Sequence, residues 1–194
     1  MSNADQPSLS LDEKRILLRL AREALECAAY GRKLRPVDQA ALTPALVATG
    51  ASFVTLTKQG ELRGCIGALE ATLPLFEDVR QHAIAAALQD FRFPPVSDIE
   101  LSDICVEVSR LTPPVLLEYA SPEDLPARLR PGVDGVILSD GKWRRATFLP
   151  QVWEKLPDPV DFLNHLCEKM GLPSDSWRAR HFEVRVYEVE EFHE

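Results

Sequence analysis

The chain lacks paired cysteines, long apolar runs and any excess of positive charge. Its four cysteines, Cys27, Cys65, Cys105 and Cys167, are widely spaced and form no CxxC pair. That spacing speaks for reduced thiols in a cytoplasm rather than a disulfide framework. No apolar stretch approaches the roughly 20 residues that cross a bilayer. The N-terminus "MSNADQPSLS" has no basic segment followed by an apolar one, so a secretory signal is not expected. Ser2-Asn3-Ala4 resembles a cloning remnant, and residues 1–10 are read as a disordered, tag-like start. The net charge of −8 argues against nucleic-acid binding, which draws most of its affinity from phosphate neutralisation. Walker-type, HExxH, GxSxG and GxGxxG motifs are all missing.

What is present is ordinary globular composition, 45% hydrophobic and 27% charged in 194 residues. That length suits one sizeable domain or two closely packed subdomains. Ser10 and Glu13 form a capping-box pattern ahead of a helical stripe (Ile16, Leu17, Leu20, Ala24, Cys27, Ala28) that Gly31 ends. Cys27 is expected in the core. Residues 51–70 read as a hairpin about Lys58-Gln59-Gly60-Glu61. A helix with Thr72 as its cap follows, broken by Pro94 and Pro95. "DICVEVSRL" alternates as a strand, and Ser121-Pro122 opens a short helix. Residues 132–149 form two strands about Asp140-Gly141, "PQVWEKL" a short helix or turn, and Asp158-Pro159 starts a helix ended by Gly171. "HFEVRVYEVEEF" closes the chain as one strand. Hairpins outnumber crossovers, so the fold class is α+β with mainly antiparallel sheet. Residues 113–130 are too few and too apolar to separate independent domains, and no subdomain boundary is assignable.

Glycine is scarce, nine residues in all, yet three of them fall in "GELRGCIGAL" at Gly60, Gly64 and Gly67. In a strand Arg63 and Cys65 share a face. A guanidinium beside a thiol favours the thiolate and makes the sulfur a better nucleophile. Gly64 and Gly67 strip the neighbouring backbone of side chains, permitting a bulge or the close approach of a ligand. Two readings stay open: a small buried filler in a bend, or a nucleophilic or redox thiol with Glu107 or His181 as proton carrier. Glu107 either faces solvent or lines a pocket beside Arg63 or Arg92. Metal is not expected, because His165 and Cys167, the closest His–Cys pair, are two apart on a helix and diverge. "KWRRA", Lys142 to Ala146, reads as a charged hairpin edge.

Five ordered stretches, "LRGCIG", "FRFPPV", "VEVSRLTPP", "GVDGVIL" and "RRATFLPQVW", resemble the AMMECR domain family, and within it the prokaryotic branch of the AmmeMemoRadiSam system. The resemblance runs from about Leu11 to Phe192. It implies an α+β fold of two intimately packed subdomains, cytoplasmic location, and two partners, a Memo-like protein related to metal-dependent dioxygenases and a radical SAM protein. A small-molecule or peptide ligand is compatible with it. It implies neither a cofactor nor an established reaction. The hallmark falls on Leu62, Arg63, Gly64, Cys65, Ile66 and Gly67, the Arg-Phe-Pro-Pro element on Arg92, Phe93, Pro94 and Pro95, and the Leu-Pro-Gln-Val element on Leu149, Pro150, Gln151 and Val152. The expected ligand pocket is therefore Arg63, Gly64, Cys65, Ile66, Gly67, Arg92, Phe93 and Gln151. Two departures stand out: Phe91 occupies a position where proline is common, and "EKLPDP" replaces the usual Trp-Asp pair. On this reading the chain is a pocket-bearing binding or substrate-handling module. The alternative is an enzyme with Cys65 as its activated thiol.

Overall fold

Ser10 starts the first helix as its spacing predicts. Its side chain accepts from the Glu13 N–H, and its own N–H donates to the Glu13 carboxylate at 2.7 Å. Helix α1 (Leu11–Ala29) buries Leu17, Leu20, Ala21, Ala24 and Leu25. Gly31 then takes φ +62°, and the Arg32 N–H closes on the Cys27 carbonyl, stopping the helix. Cys27 is half-buried rather than core, because it lies on the final turn, beyond the last buried residue, Leu25.

The computed structural model describes residues 8–141 and 143–194. Most of the expected tag-like start, and Lys142 of the basic cluster, lie outside the described residues. Helices and antiparallel sheet confirm the α+β class. The described chain divides into two compact units, 8–111 with Glu190–Glu194, and Thr112–Val189.

The first unit is built on β1 (Thr49–Lys58), the centre of a sheet ordered β2-β1-β4-β9. Its neighbours are β2 (Glu61–Gly67), β4 (Ile104–Leu111) and β9 (Val189–His193), while β3 (Leu73–Pro74) pairs with the start of β1. Helix α2 (Pro44–Val47) precedes β1, and α3 (Leu75–Leu88) follows β3. Thr72 is not the cap of α3: Leu73 and Pro74 pair with Gly50 and Thr49, which delays the helix to Leu75. Val54, Leu56, Val106 and Val108 meet Leu17, Leu25, Val79 and Ala83 in one apolar core.

The second unit orders its sheet β5-β8-β6-β7. These are β5 (Val115–Leu116), β6 (Gly135–Ser139), β7 (Arg145–Phe148) and β8 (Glu183–Tyr187), with helices α4 (Leu125–Arg128), α5 (Pro159–Lys169) and α6 (Ser176–Ala179). Asp158 caps α5 by accepting from the Val160 and Asp161 N–H groups. The Trp153 and Phe162 rings stack at 3.7 Å, and the Trp153 indole donates to the Asp134 carbonyl at 2.7 Å. Cys167 is fully buried in this core, and burial pushes its thiol pKa up.

The closing segment is not one strand. It divides about Glu188 into β8 and β9, which belong to different sheets. The boundaries between units follow Leu111, the last residue of β4, and Val189, the first residue of β9, rather than lying in a linker. Among the described residues no helix is long and apolar enough to cross a membrane.

Candidate functional site

Strand β2 is an edge strand. Its hairpin turns through Gln59 (φ +54°) and Gly60 (φ +83°), a pair of left-handed residues that suits a tight turn. Register runs Leu56 opposite Gly64 and then Thr57 opposite Leu62, so Arg63 is the extra residue of a β-bulge. Gly64 lies against α3: a Cβ there would stand 2.3 Å from the Ala86 carbonyl oxygen. At Gly67 a Cβ would stand 2.3 Å from the Phe53 ring. The space these glycines leave is filled by the protein itself, so they serve close packing and leave no ligand gap there. Ile66 is half-buried against the core.

Arg63 does not turn to Cys65. Its Nε donates to Glu100 Oε2 at 3.0 Å and its Nη2 to Oε1 at 3.1 Å. Lys58 Nζ reaches the same carboxylate at 3.2 Å, and the Ser97 N–H and hydroxyl also donate to it. These donors, Arg63 foremost, hold the Glu100 carboxyl well below the usual carboxylate range.

Cys65 is held through its backbone instead. Its N–H donates to Asp90 Oδ2 at 2.9 Å, and its carbonyl accepts from Arg92 Nη2 at 3.3 Å. Arg92 also grips Asp90, Nε to Oδ1 at 2.9 Å and Nη2 to Oδ2 at 2.6 Å. The Asp90 side chain is only 3% exposed, and the Arg92 hydrogen bonds, ahead of those from the backbone, hold its carboxyl far below its ordinary value. Asp90 and Arg92 thus satisfy one residue of the edge strand as a neighbouring strand would.

The Cys65 sulfur is half-buried and accepts from the Thr55 hydroxyl at 3.3 Å. Thr55 lies opposite Cys65 on one side and Glu107 on the other, so the three form a row across β2, β1 and β4. Glu107 has no hydrogen-bond or ion-pair partner among the described residues. Burial first, then the nearby Glu191, raises its pKa, and His193 opposes the shift. It pairs with neither arginine, because Arg63 belongs to Glu100 and Arg92 to Asp90.

Beside this edge the loop after α3 presents Phe91, 96% exposed. Arg92 lies over the half-buried Phe93 ring at 5.5 Å. Leu62, Leu88 and Ile99 are exposed in the same unit.

The first unit therefore holds Arg63, Gly64, Cys65, Ile66, Gly67, Arg92, Phe93 and Glu107. His181 and Gln151 belong to the second unit. His181 stacks on Tyr119 at 4.3 Å, and the Tyr119 hydroxyl donates to the Phe182 carbonyl at 2.8 Å. Gln151 is exposed in the 3₁₀ turn Pro150–Glu154. Sequence reasoning missed Asp90 and Glu100. Ser97 and Glu100 do carry a readable capping-box pattern, which the structure forms. Asp90 has no local signal beyond its place two residues before Arg92. No group of three His, Cys, Asp or Glu among the described residues could hold a metal ion.

An α+β chain whose edge strand is pinned by a buried aspartate and bulged at an arginine is the class these observations define. The chain belongs to the AMMECR1 family, whose model matches residues 18–192. A protein of Methanothermobacter thermautotrophicus is 45% identical over 188 residues, covering 96% of each chain. One of Methanopyrus kandleri is 40% identical over 190 residues, covering 96% of this chain and 90% of its own. The crystal structure of an uncharacterized protein from Pyrococcus horikoshii superposes with a TM-score of 0.81 at 36% identity, covering 96% of this chain and 93% of that one.

Proposed function

We propose that the chain is a binding or substrate-handling module of a cytoplasmic AmmeMemoRadiSam system. It presents the "LRGCIG" edge to a Memo-like protein and a radical SAM protein on which the chemistry occurs. The carrying observation is Phe91, an aromatic side chain 96% exposed, on a loop that Asp90 locks to Cys65. An exposed aromatic on a rigid support loses little entropy when a partner covers it, and such residues dominate interface energies. The purified chain, mixed with both partners under reducing, anaerobic conditions with and without SAM, is expected to form a complex detectable by mass photometry. Phe91→Ala is expected to weaken it at least tenfold with the circular dichroism unchanged. Failure of either partner to bind overturns the proposal.

The thiol reading has Cys65 within reach of the Thr55 hydroxyl in its favour. Against it stands the Arg63 guanidinium, committed to Glu100. Iodoacetamide is expected to alkylate Cys65 no faster than a cysteine in an unstructured peptide, read by mass spectrometry. Faster alkylation would revive the enzyme.

A further inference from the structure

The first unit carries a charged surface that shares no residue with the "LRGCIG" edge. Tyr30, Arg32, Lys33 and Arg35 are exposed along the connection that follows α1. Residues 30–37 hold three positive charges and no negative one, in a chain whose net charge is −8. Among the described residues Arg32, Lys33 and Arg35 make no ion pair and no side-chain hydrogen bond. The carboxylates next to them are engaged elsewhere. Asp38 accepts from the Ala40 N–H at 3.1 Å, and Glu77 accepts from Arg80 Nη1 at 2.9 Å. Glu26, on the last turn of α1, acts on Arg22.

The backbone beneath these cations is pinned. The Arg32 N–H donates to the Cys27 carbonyl at 2.8 Å, and Arg80 Nη2 reaches the Arg35 carbonyl at 2.6 Å. Leu34 and Val37 pack against the core of the unit. Pro36 restricts Arg35 to extended backbone. The Arg32 guanidinium lies over the Tyr30 ring at 4.5 Å, which orders it without neutralising it. The negative end of the α1 dipole accounts for Arg32 at most, because its pull fades within one turn. Lys33 and Arg35 lie beyond that reach.

We infer that this loop docks a run of Asp or Glu side chains on a partner protein. Guanidinium forks match carboxylates with two parallel N–H donors, and clustered arginines are a recurring reader of acidic segments. A nucleic-acid duplex or a membrane fits less well. Either extends past the loop onto a chain that carries −11 outside residues 30–37 and repels it. A short acidic segment meets the three cations alone. Each exposed ion pair strengthens binding only about two- to fivefold, so the loop steers and orients the partner more than it anchors it.

The test is titration of the ¹⁵N-labelled full chain with a capped oligoglutamate peptide, read by amide and arginine Nε–H resonances. Saturable shifts centred on residues 30–37 are expected at low salt. They should weaken at about 0.15 M salt, where charges are screened beyond roughly 8 Å. Arg32→Gln, Lys33→Gln and Arg35→Gln are each expected to weaken binding about two- to fivefold, and the triple variant at least tenfold. Arg15→Gln, an exposed arginine beside Asp12 on α1, should leave it unchanged. All three loop cations are exposed, so circular dichroism of the variants is expected to match the parent. An oligoglutamine peptide should give no shifts there. Shifts that do not saturate at low salt, or a triple variant that binds as the parent does, overturn the inference. So does tighter binding of a long DNA duplex or of phosphatidylserine vesicles than of oligoglutamate.

Discussion

Asp90 takes up the outward N–H of Cys65 and simultaneously holds Arg92 against the Cys65 carbonyl. Removing its charge therefore loosens three groups together. A hydrogen bond to a charged group contributes about 1.5–3 kcal/mol, so Asp90→Asn is expected to cost about 2 kcal/mol at pH 7 in urea unfolding. The pH dependence follows from the lowered folded-state pKa of Asp90. A carboxyl whose pKa is depressed by folding contributes its full stability above its unfolded value, about 3.9, and loses it as pH falls toward the folded one. The parent and Asp90→Asn curves are expected to lie apart at pH 5–7 and to converge below pH 3. Parallel curves across that range would show that the charge of Asp90 contributes nothing. Neither Asp90 nor Glu100 was singled out from the sequence, although Arg63 and Arg92 were. Asp90, near a helix end, has no pattern of its own; Glu100 carries the Ser97 capping-box pattern, but its pairing with Arg63 and Lys58 is set by tertiary packing.

At the scale of elements, what was legible was local. The Ser10–Glu13 cap, the Asp158 cap, the Gly31 and Gly171 stops and the turn at Asp140-Gly141 each depend on residues a few positions apart, and each forms. The bulge at Arg63 was not legible, because it exists only against the register of β1. The glycines of β2 were marked as special, but the partner that requires them was invisible until α3 was placed. Gly64 and Gly60 make a controlled pair. At Gly64 a methyl group meets a helix backbone carbonyl at 2.3 Å, which no side-chain rotation relieves. Gly64→Ala is expected to cost about 3 kcal/mol, the upper end of overpacking, and to raise amide exchange at Cys65. Gly60 has φ +83° and nothing within 4 Å, so Gly60→Ala meets backbone strain alone, about 1–2 kcal/mol. Urea denaturation of the two variants checks the order. Equal costs would mean that α3 yields to the methyl group.

At the scale of the whole molecule, the chain order and the division into units disagree. Residues 112–189 fold as one unit, yet the last five residues return to the sheet that begins with β1. Read from the sequence, residues 181–192 form one closing strand with no break between the two halves. What separates them is a change of sheet about Glu188, which no local pattern announces. The return is anchored chemically. Phe192 enters the core of the first unit, and Glu190 accepts from Lys14 at 2.8 Å and from the Leu9 N–H at 3.2 Å. Glu194 binds the Arg22 guanidinium and accepts from the Val106 N–H at 3.2 Å. Losing a buried aromatic alone costs about 3–5 kcal/mol. A chain ending at Val189 is therefore expected to lose at least that much from the unit of residues 8–111. Hydrogen exchange should show Ile104 to Leu111 losing protection once β9 is gone. The amides of β6 and β8 pair only within Thr112–Val189 and should keep theirs. Loss of protection in both sheets to the same degree would show that the two units unfold as one.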